Sequence, residues 1–280
     1  MAHFNGKTPN IRIRYISATL FDNSVRNRKK SVPVRLIFFG GGGCSKTIYV
    51  FDGQQFVMLR IGHRGARAYE PENTLRSFKK AVEMGVDAVE LDVRKTKDGQ
   101  LVVIHDTDVK RTTDGEGLVS KLTLKEIKGF SAEKGEKIPT LTEALDFLDK
   151  KVKIVVELKE AGVEEQVLVE VREHGLRKNV VLVSFLEDAL RRVRELDKEV
   201  ETGLIYVRHK NPVKAALDLE ASYLLPLYRF THTANVQKAH ENGLKVIVWT
   251  INKPEEVAEY VKKGVDGIAS DKPDILMAKL

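Results

Sequence analysis

Two histidines, two basic side chains and a set of carboxylates stand at the ends of short apolar runs in this chain. His63 and Arg64 follow Leu59-Arg-Ile-Gly. Glu90 and Asp92 lie two apart near the end of Val86–Val93, and His105 closes Leu101–His105. Glu157 and Lys159 repeat the two-residue spacing at the end of Val152–Lys159, and Trp249 follows Val246–Val248. A spacing of two puts both side chains on one face of a strand. Glu90, Asp92 and Glu157, aimed into one place from two strands, would repel each other unless a cation sat among them. Oxygen-only ligation selects a hard ion, Mg²⁺ or Ca²⁺ with Mn²⁺ as a third candidate, over zinc. Arg64 and Lys159 beside such an ion suit a phosphate. Two histidines nearby suit acid and base work near neutral pH. The combination describes metal-assisted phosphoryl chemistry. Each residue also has a plainer reading. A strand-end histidine is often structural, Glu90 and Asp92 can be a solvated edge paired with Arg94, Lys159 can merely pair with Glu157, and Trp249 can be core. Those readings do not account for the recurrence of such groups at the same end of successive strands.

The elements that must position them alternate regularly. Strands are expected at 58–62, 86–93, 101–105, 152–159, 180–185, 202–207, 223–228, 245–251 and 267–270. Several are continuous apolar runs, as in strands buried on both faces. Helices are expected between them at 74–84, 140–150, 163–174, 187–197, 211–219, 233–242, 254–263 and 273–279. Thr140 with Glu143 reads as a capping box, and Gly85, Gly175, Gly243 and Gly264 read as helix-ending glycines. The turn at Asp98-Gly99 joins 86–93 to 101–105 as a hairpin. With that extra strand set aside, eight strand–helix units remain, which indicates a (β/α)₈ TIM barrel. A doubly wound open sheet is the alternative. Residues 107–139 break the rhythm and read as an insertion over one barrel mouth. Leu118, Leu122, Leu124, Ile127 and Phe130 within it could form an apolar groove, with a small local core the favoured reading.

Charge and composition narrow the classes. The net charge of +7 comes from nine Lys or Arg against two Asp in residues 1–57, and the remainder is neutral. The folded body is therefore not a polyanion binder by charge, and no nucleic-acid partner is expected. No apolar run approaches a membrane span. The single cysteine, Cys44, excludes an internal disulfide framework and fits a reducing compartment, so a cytoplasmic location is expected. Residues 1–57 show no sustained period and are expected to be a poorly ordered extension or a start-site artefact, with Met58 as the expected start. Their Gly40–Thr47 stretch approaches a phosphate-binding loop, but Ser45 stands where that pattern needs glycine, and strand rather than helix is expected next.

G-H-R-G-A at 62–66, P-E-N-T at 71–74, E-L-D-V at 90–93, V-V-I-H-D at 102–106 and V-E-L-K at 156–159 resemble the glycerophosphodiester phosphodiesterases of the PLC-like phosphodiesterase superfamily. P-T-L-T-E-A-L at 139–145, V-S-F at 183–185 and V-W-T-I-N at 248–252 are similar as well. The resemblance covers residues 58–280. It implies a TIM barrel with an insertion after the second histidine strand. It also implies hydrolysis of glycerophosphodiesters to glycerol phosphate and an alcohol, within glycerol and lipid metabolism. By that resemblance Glu90, Asp92 and Glu157 bind the ion, and His63 and His105 are the acid–base pair. Arg64 and Lys159 hold the phosphate, and Trp249 walls the glycerol or alcohol. Glu72 is a site-edge carboxylate, either a further ligand or a partner that orients Arg64. A lysophospholipase D-like enzyme acting on lipid-bearing diesters is the alternative, and a non-catalytic phosphate-binding barrel is a further one.

Overall fold

The structure is a computed structural model that describes residues 12–20, 32–40, 46–51, 54–56 and 58–277. It divides into two units, Met1–Met58 and Leu59–Leu280. The first holds an antiparallel meander of β1 (Arg12–Leu20), β2 (Val32–Gly40), β3 (Lys46–Phe51) and β4 (Gln54–Phe56). Lys46–Phe51 is thus a strand and not the helix that a phosphate-binding loop requires.

The second unit is a closed parallel barrel. Its staves are β5 (Leu59–Gly62), β6 (Ala88–Lys95), β8 (Lys153–Leu158), β9 (Val180–Ser184), β10 (Glu201–Tyr206), β11 (Tyr223–Pro226), β12 (Lys245–Val248) and β13 (Gly267–Ser270). Each pairs in parallel with the next, and β13 pairs with β5 to close the ring. Helices α1 (Leu75–Glu83), α3 (Leu141–Leu148), α4 (Glu164–Glu173), α5 (Glu187–Leu196), α6 (Pro212–Asp218), α7 (Thr233–Glu241) and α8 (Pro254–Lys262) connect them. The eighth connection differs from the sequence expectation. Where an α-helix over 273–279 was anticipated, Pro273–Met277 is a 3-10 helix.

Side-chain alternation builds two cores. Along β6, Val89, Leu91 and Val93 face outward and pack with Phe78 of α1 and Leu141, Leu145 and Leu148 of α3. Ala88 faces the barrel interior with Ile61, Val155, Val183, Ile205, Leu225, Ile247 and Ala269. The start of α3 follows the expected chemistry: Thr140 and Glu143 form a reciprocal capping box.

The hairpin strand β7 (Leu101–Val103) runs antiparallel to β6, pairing Lys95 with Leu101 and Val93 with Val103. It is shorter than the expected 101–105, so His105 lies beyond its end rather than closing it. The Ile104 N–H donates to the Asp92 carbonyl at 2.9 Å, and Arg94 Nε donates to the His105 carbonyl at 2.9 Å. The turn back along β6 therefore brings His105 level with Asp92. The insertion holds α2 (Leu124–Gly129) and its own small core. Val102, Ile104, Val109, Val119, Ile127 and Ile138 are buried there, with Leu122, Leu124 and Phe130 packed against them. The apolar residues of 107–139 thus make a local core, with Leu118 left exposed outside it.

Candidate active site

The inward-facing positions one step above the barrel core form the mouth. Two residues past Ile61, Ala88, Val155 and Ala269 stand His63, Glu90, Glu157 and Asp271. Two residues past Val183, Ile205, Leu225 and Ile247 stand Phe185, Val207, Leu227 and Trp249. The mouth is charged on one half and apolar on the other. Phe185 and Trp249 come from non-adjacent strands and meet edge to face, with centroids 5.6 Å apart. Trp249 Nε1 donates to the Leu225 carbonyl at 2.7 Å, which fixes the indole in place.

On the charged half, Glu90, Asp92 and Glu157 converge, each offering an oxygen within 4.8 Å of the others'. All three are buried. Glu90 Oε1 and Asp92 Oδ1 have no hydrogen-bond partner. Buried carboxylate oxygens left without donors are costly, and an oxygen-seeking cation between them removes that cost. The donor set fits a hard divalent ion. The remaining oxygens are held firmly. The Arg64 N–H donates to Glu90 Oε2 at 2.8 Å, and Asn73 Nδ2 donates to Asp92 Oδ2 at 2.8 Å. Lys159 Nζ lies 2.7 Å from Glu157 Oε1 and 3.6 Å from Asp92 Oδ1. Arg94 does not join the pair; it binds Glu160 at 3.2 Å.

Backbone geometry sets Arg64 and Asn73. Both have positive φ, 52° and 56°, an uncommon conformation that clusters at functional sites. Gly65 follows at φ 80°, and a Cβ there would lie 2.7 Å from the Ser77 backbone carbon. Only glycine lets the His63–Gly65 turn sit this close to α1. Ser77 Oγ donates to the Arg64 carbonyl at 2.9 Å, which ties the helix to the turn.

Each histidine is oriented by a carboxylate. His63 Nδ1 is 2.7 Å from Asp271 Oδ1, so Nε2 faces the cluster, 3.9 Å from Glu90 Oε2. Asp271 is itself fixed by Asn252 Nδ2 at 2.8 Å. His105 Nδ1 is 2.7 Å from Asp106 Oδ1. The His63 side chain is 14% exposed and that of His105 33%, so His105 lies nearer the outside. Glu72 receives Arg64 Nη1 at 2.8 Å, Arg111 Nη2 at 2.7 Å and Arg67 Nη2 at 3.2 Å. Its contacts are to arginines, Arg64 among them, and it is not one of the three carboxylates of the cluster. Burial raises its pKa, but the three arginines outweigh burial and hold it at about 2.

The structure thus gathers His63, Arg64, Glu72, Glu90, Asp92, His105, Glu157, Lys159 and Trp249 at one mouth. Sequence reasoning passed over Asn73, Asp106, Arg111, Asn252 and Asp271. Asp271 had a usable signal, since it directly follows the last barrel strand, Gly267–Ser270.

The carboxylate cluster carries a pH consequence. Burial, followed by the charges of Asp92 and Glu157, pushes Glu90 well above the ordinary carboxylate range. Burial and then Asp92 push Glu157 up to about 7. Both pKa values exceed those of the unfolded chain, so both contributions are full below about pH 4.3 and fall as pH rises, that of Glu157 being lost as pH passes through about 7. A bound cation replaces those protons. In scanning calorimetry, added Mg²⁺ or Ca²⁺ is expected to raise the melting temperature more at pH 8 than at pH 5.5. Equal increments at both would contradict ion binding at this cluster.

Carboxylates, basic side chains and two carboxylate-held histidines at one barrel mouth are the groups that phosphodiester hydrolysis calls for. Residues 63–275 match the model of the glycerophosphoryl diester phosphodiesterase family, and the chain belongs to that family. A glycerophosphodiester phosphodiesterase of Caldanaerobacter subterraneus is 40% identical over 233 residues, spanning 78% of this chain and 96% of that one. A solved glycerophosphodiester phosphodiesterase from Agrobacterium tumefaciens superposes with a TM-score of 0.74 at 28% identity, over 79% of this chain and 100% of the other. A phosphodiesterase of Oleispira antarctica, solved with the product sn-glycerol-3-phosphate, gives 0.72 at 30% identity, over 78% and 94%. Among the described residues no helix is long and apolar enough to cross a membrane.

Proposed function

We propose that the chain hydrolyses glycerophosphodiesters to glycerol phosphate and an alcohol with the aid of one divalent ion, and that His63 and His105 move the protons. The observation that carries this reading is the pair of unpartnered buried oxygens, Glu90 Oε1 and Asp92 Oδ1, set beside Glu157. Glu90, Asp92 and Glu157 would hold Mg²⁺ or Ca²⁺, with Mn²⁺ as a further candidate. When bound, the ion neutralises phosphate charge and polarises its oxygens.

Lys159 and Arg64 supply the positive charge that seats the phosphate. Asp271 accepts from His63 Nδ1, which leaves Nε2 as the base, pointed at the cluster. It takes the proton of the attacking oxygen. His105, the more exposed of the two, stands where a variable alcohol can leave toward solvent. It gives its proton to the departing alkoxide. Burial lowers the pKa of His105 in the free site, with Asp92 and Asp106 opposing. A bound phosphate anion adds to the opposing side and keeps the proton in place for transfer. The rings of Trp249 and Phe185 wall the organic part of the substrate.

The test compares glycerophosphocholine with lysophosphatidylcholine. Release of glycerol phosphate and choline in equal amounts from the first is expected. Turnover confined to the lipid-bearing diester would overturn the substrate assignment.

A further inference from the structure

Arg111 comes from the insertion, and none of the proton transfers above uses it directly. Its guanidinium grips two carboxylates with two edges. Nε and Nη2 donate to Asp106 Oδ2 and Oδ1 at 2.6 and 3.1 Å. Nη1 and Nη2 donate to Glu72 Oε2 and Oε1 at 3.0 and 2.7 Å. Each carboxylate has a second task. Asp106 Oδ1 meets His105 Nδ1 at 2.7 Å, and Glu72 Oε1 accepts from Arg64 Nη1 at 2.8 Å.

A planar fork with donors on two edges can make this arrangement, and an ammonium group cannot. Four of its N–H groups are spent on carboxylates, so Arg111 has little left for a phosphate. Its side chain is 46% exposed, and ion pairs that exposed add little to folding stability. What the contacts supply is geometry.

We propose that Arg111 is a positioning residue for the reaction. It anchors His105, through Asp106, to the Glu72 carboxylate that Arg64 also holds, and so fixes the proton donor relative to the phosphate site, while Arg64 keeps its own contacts to Glu72 at 2.8 Å and Asp92 at 3.2 Å. On this view the insertion supplies part of the catalytic alignment and is more than a cover. The inference rests on the reading of His105 as the proton donor to the leaving alkoxide.

The experiment measures kcat and KM of the full chain with two diesters of glycerol phosphate. One releases ethanolamine, whose oxygen needs a proton on departure. The other releases p-nitrophenolate, which does not. Wild type, Arg111→Lys and His105→Ala are compared. A positioned acid contributes on the order of 10²–10⁴-fold, and misplacing it forfeits part of that. Arg111→Lys is expected to lower kcat for the ethanolamine diester by roughly 30-fold and for the nitrophenyl diester by less than about threefold. The ratio between substrates is internal to each preparation, so a partly unfolded sample does not alter it. Equal losses on both substrates, or no loss, would overturn the proposal while leaving the hydrolase intact. If His105→Ala itself shows no dependence on the leaving group, the proton-donor assignment fails and the proposal with it.

Discussion

Replacing Glu90 by glutamine is expected to lower kcat/KM by on the order of 10³-fold, since a metal's stabilisation of transition-state charge amounts to several kcal/mol and each 1.36 kcal/mol is tenfold. The change keeps the shape and removes one charge. The glutamine oxygen can still accept from the Arg64 N–H that now serves Glu90 Oε2 at 2.8 Å. Its amide would then face Asp92 Oδ1, which has no donor at present. The substitution therefore keeps the neutral form that burial favours at Glu90 in the metal-free fold, and takes from the proposed ion site the charge it needs. The variant should melt no lower than wild type in EDTA, and added Mg²⁺ or Ca²⁺ should no longer raise its melting temperature. Calorimetry with and without the ion, beside a product assay, checks both. An inactive variant that also unfolds would instead point to a structural role for Glu90.

His63→Ala is expected to cost roughly 10²–10⁴-fold in kcat, the range for a positioned base, and to spare the ion site. The ring lies 3.9 Å from Glu90 Oε2, beyond hydrogen-bond reach, so its removal takes no donor from the cluster. Asp271 keeps Asn252 at 2.8 Å and Arg67 at 3.7 Å, so its carboxylate stays partnered. Lost turnover with an unchanged metal-induced melting shift is the expected signature. Retained turnover would remove His63 from the chemistry, and a lost shift would make it a metal-site residue.

Much of this was legible because it is periodic. The alternation in Ala88–Lys95 places Glu90 and Asp92 inside and Val89, Leu91 and Val93 outside by pleat alone. Eight such runs with helices between them leave few topologies, and strand ends name the mouth. The sequence also carried a resemblance that named the family. What it did not carry is pairing across long separations. Asp271 meets His63 across 208 residues, and no local pattern foretells that. Arg111 sits in a stretch with no period, and its partners Glu72 and Asp106 belong to different loops. The end of β7 was misplaced by two residues because Ile104 continues the apolar run while its N–H bonds the Asp92 carbonyl outside the ladder.

The central claim is that a divalent ion at Glu90, Asp92 and Glu157 drives hydrolysis. The most direct measurement strips the full-length protein with EDTA, removes the chelator, and follows glycerol phosphate release from glycerophosphocholine as Mg²⁺, Ca²⁺ or Mn²⁺ is added. Negligible release without metal, restored to saturation by one of these ions, is the result expected. Full activity in the stripped protein, unchanged by any ion, would contradict it.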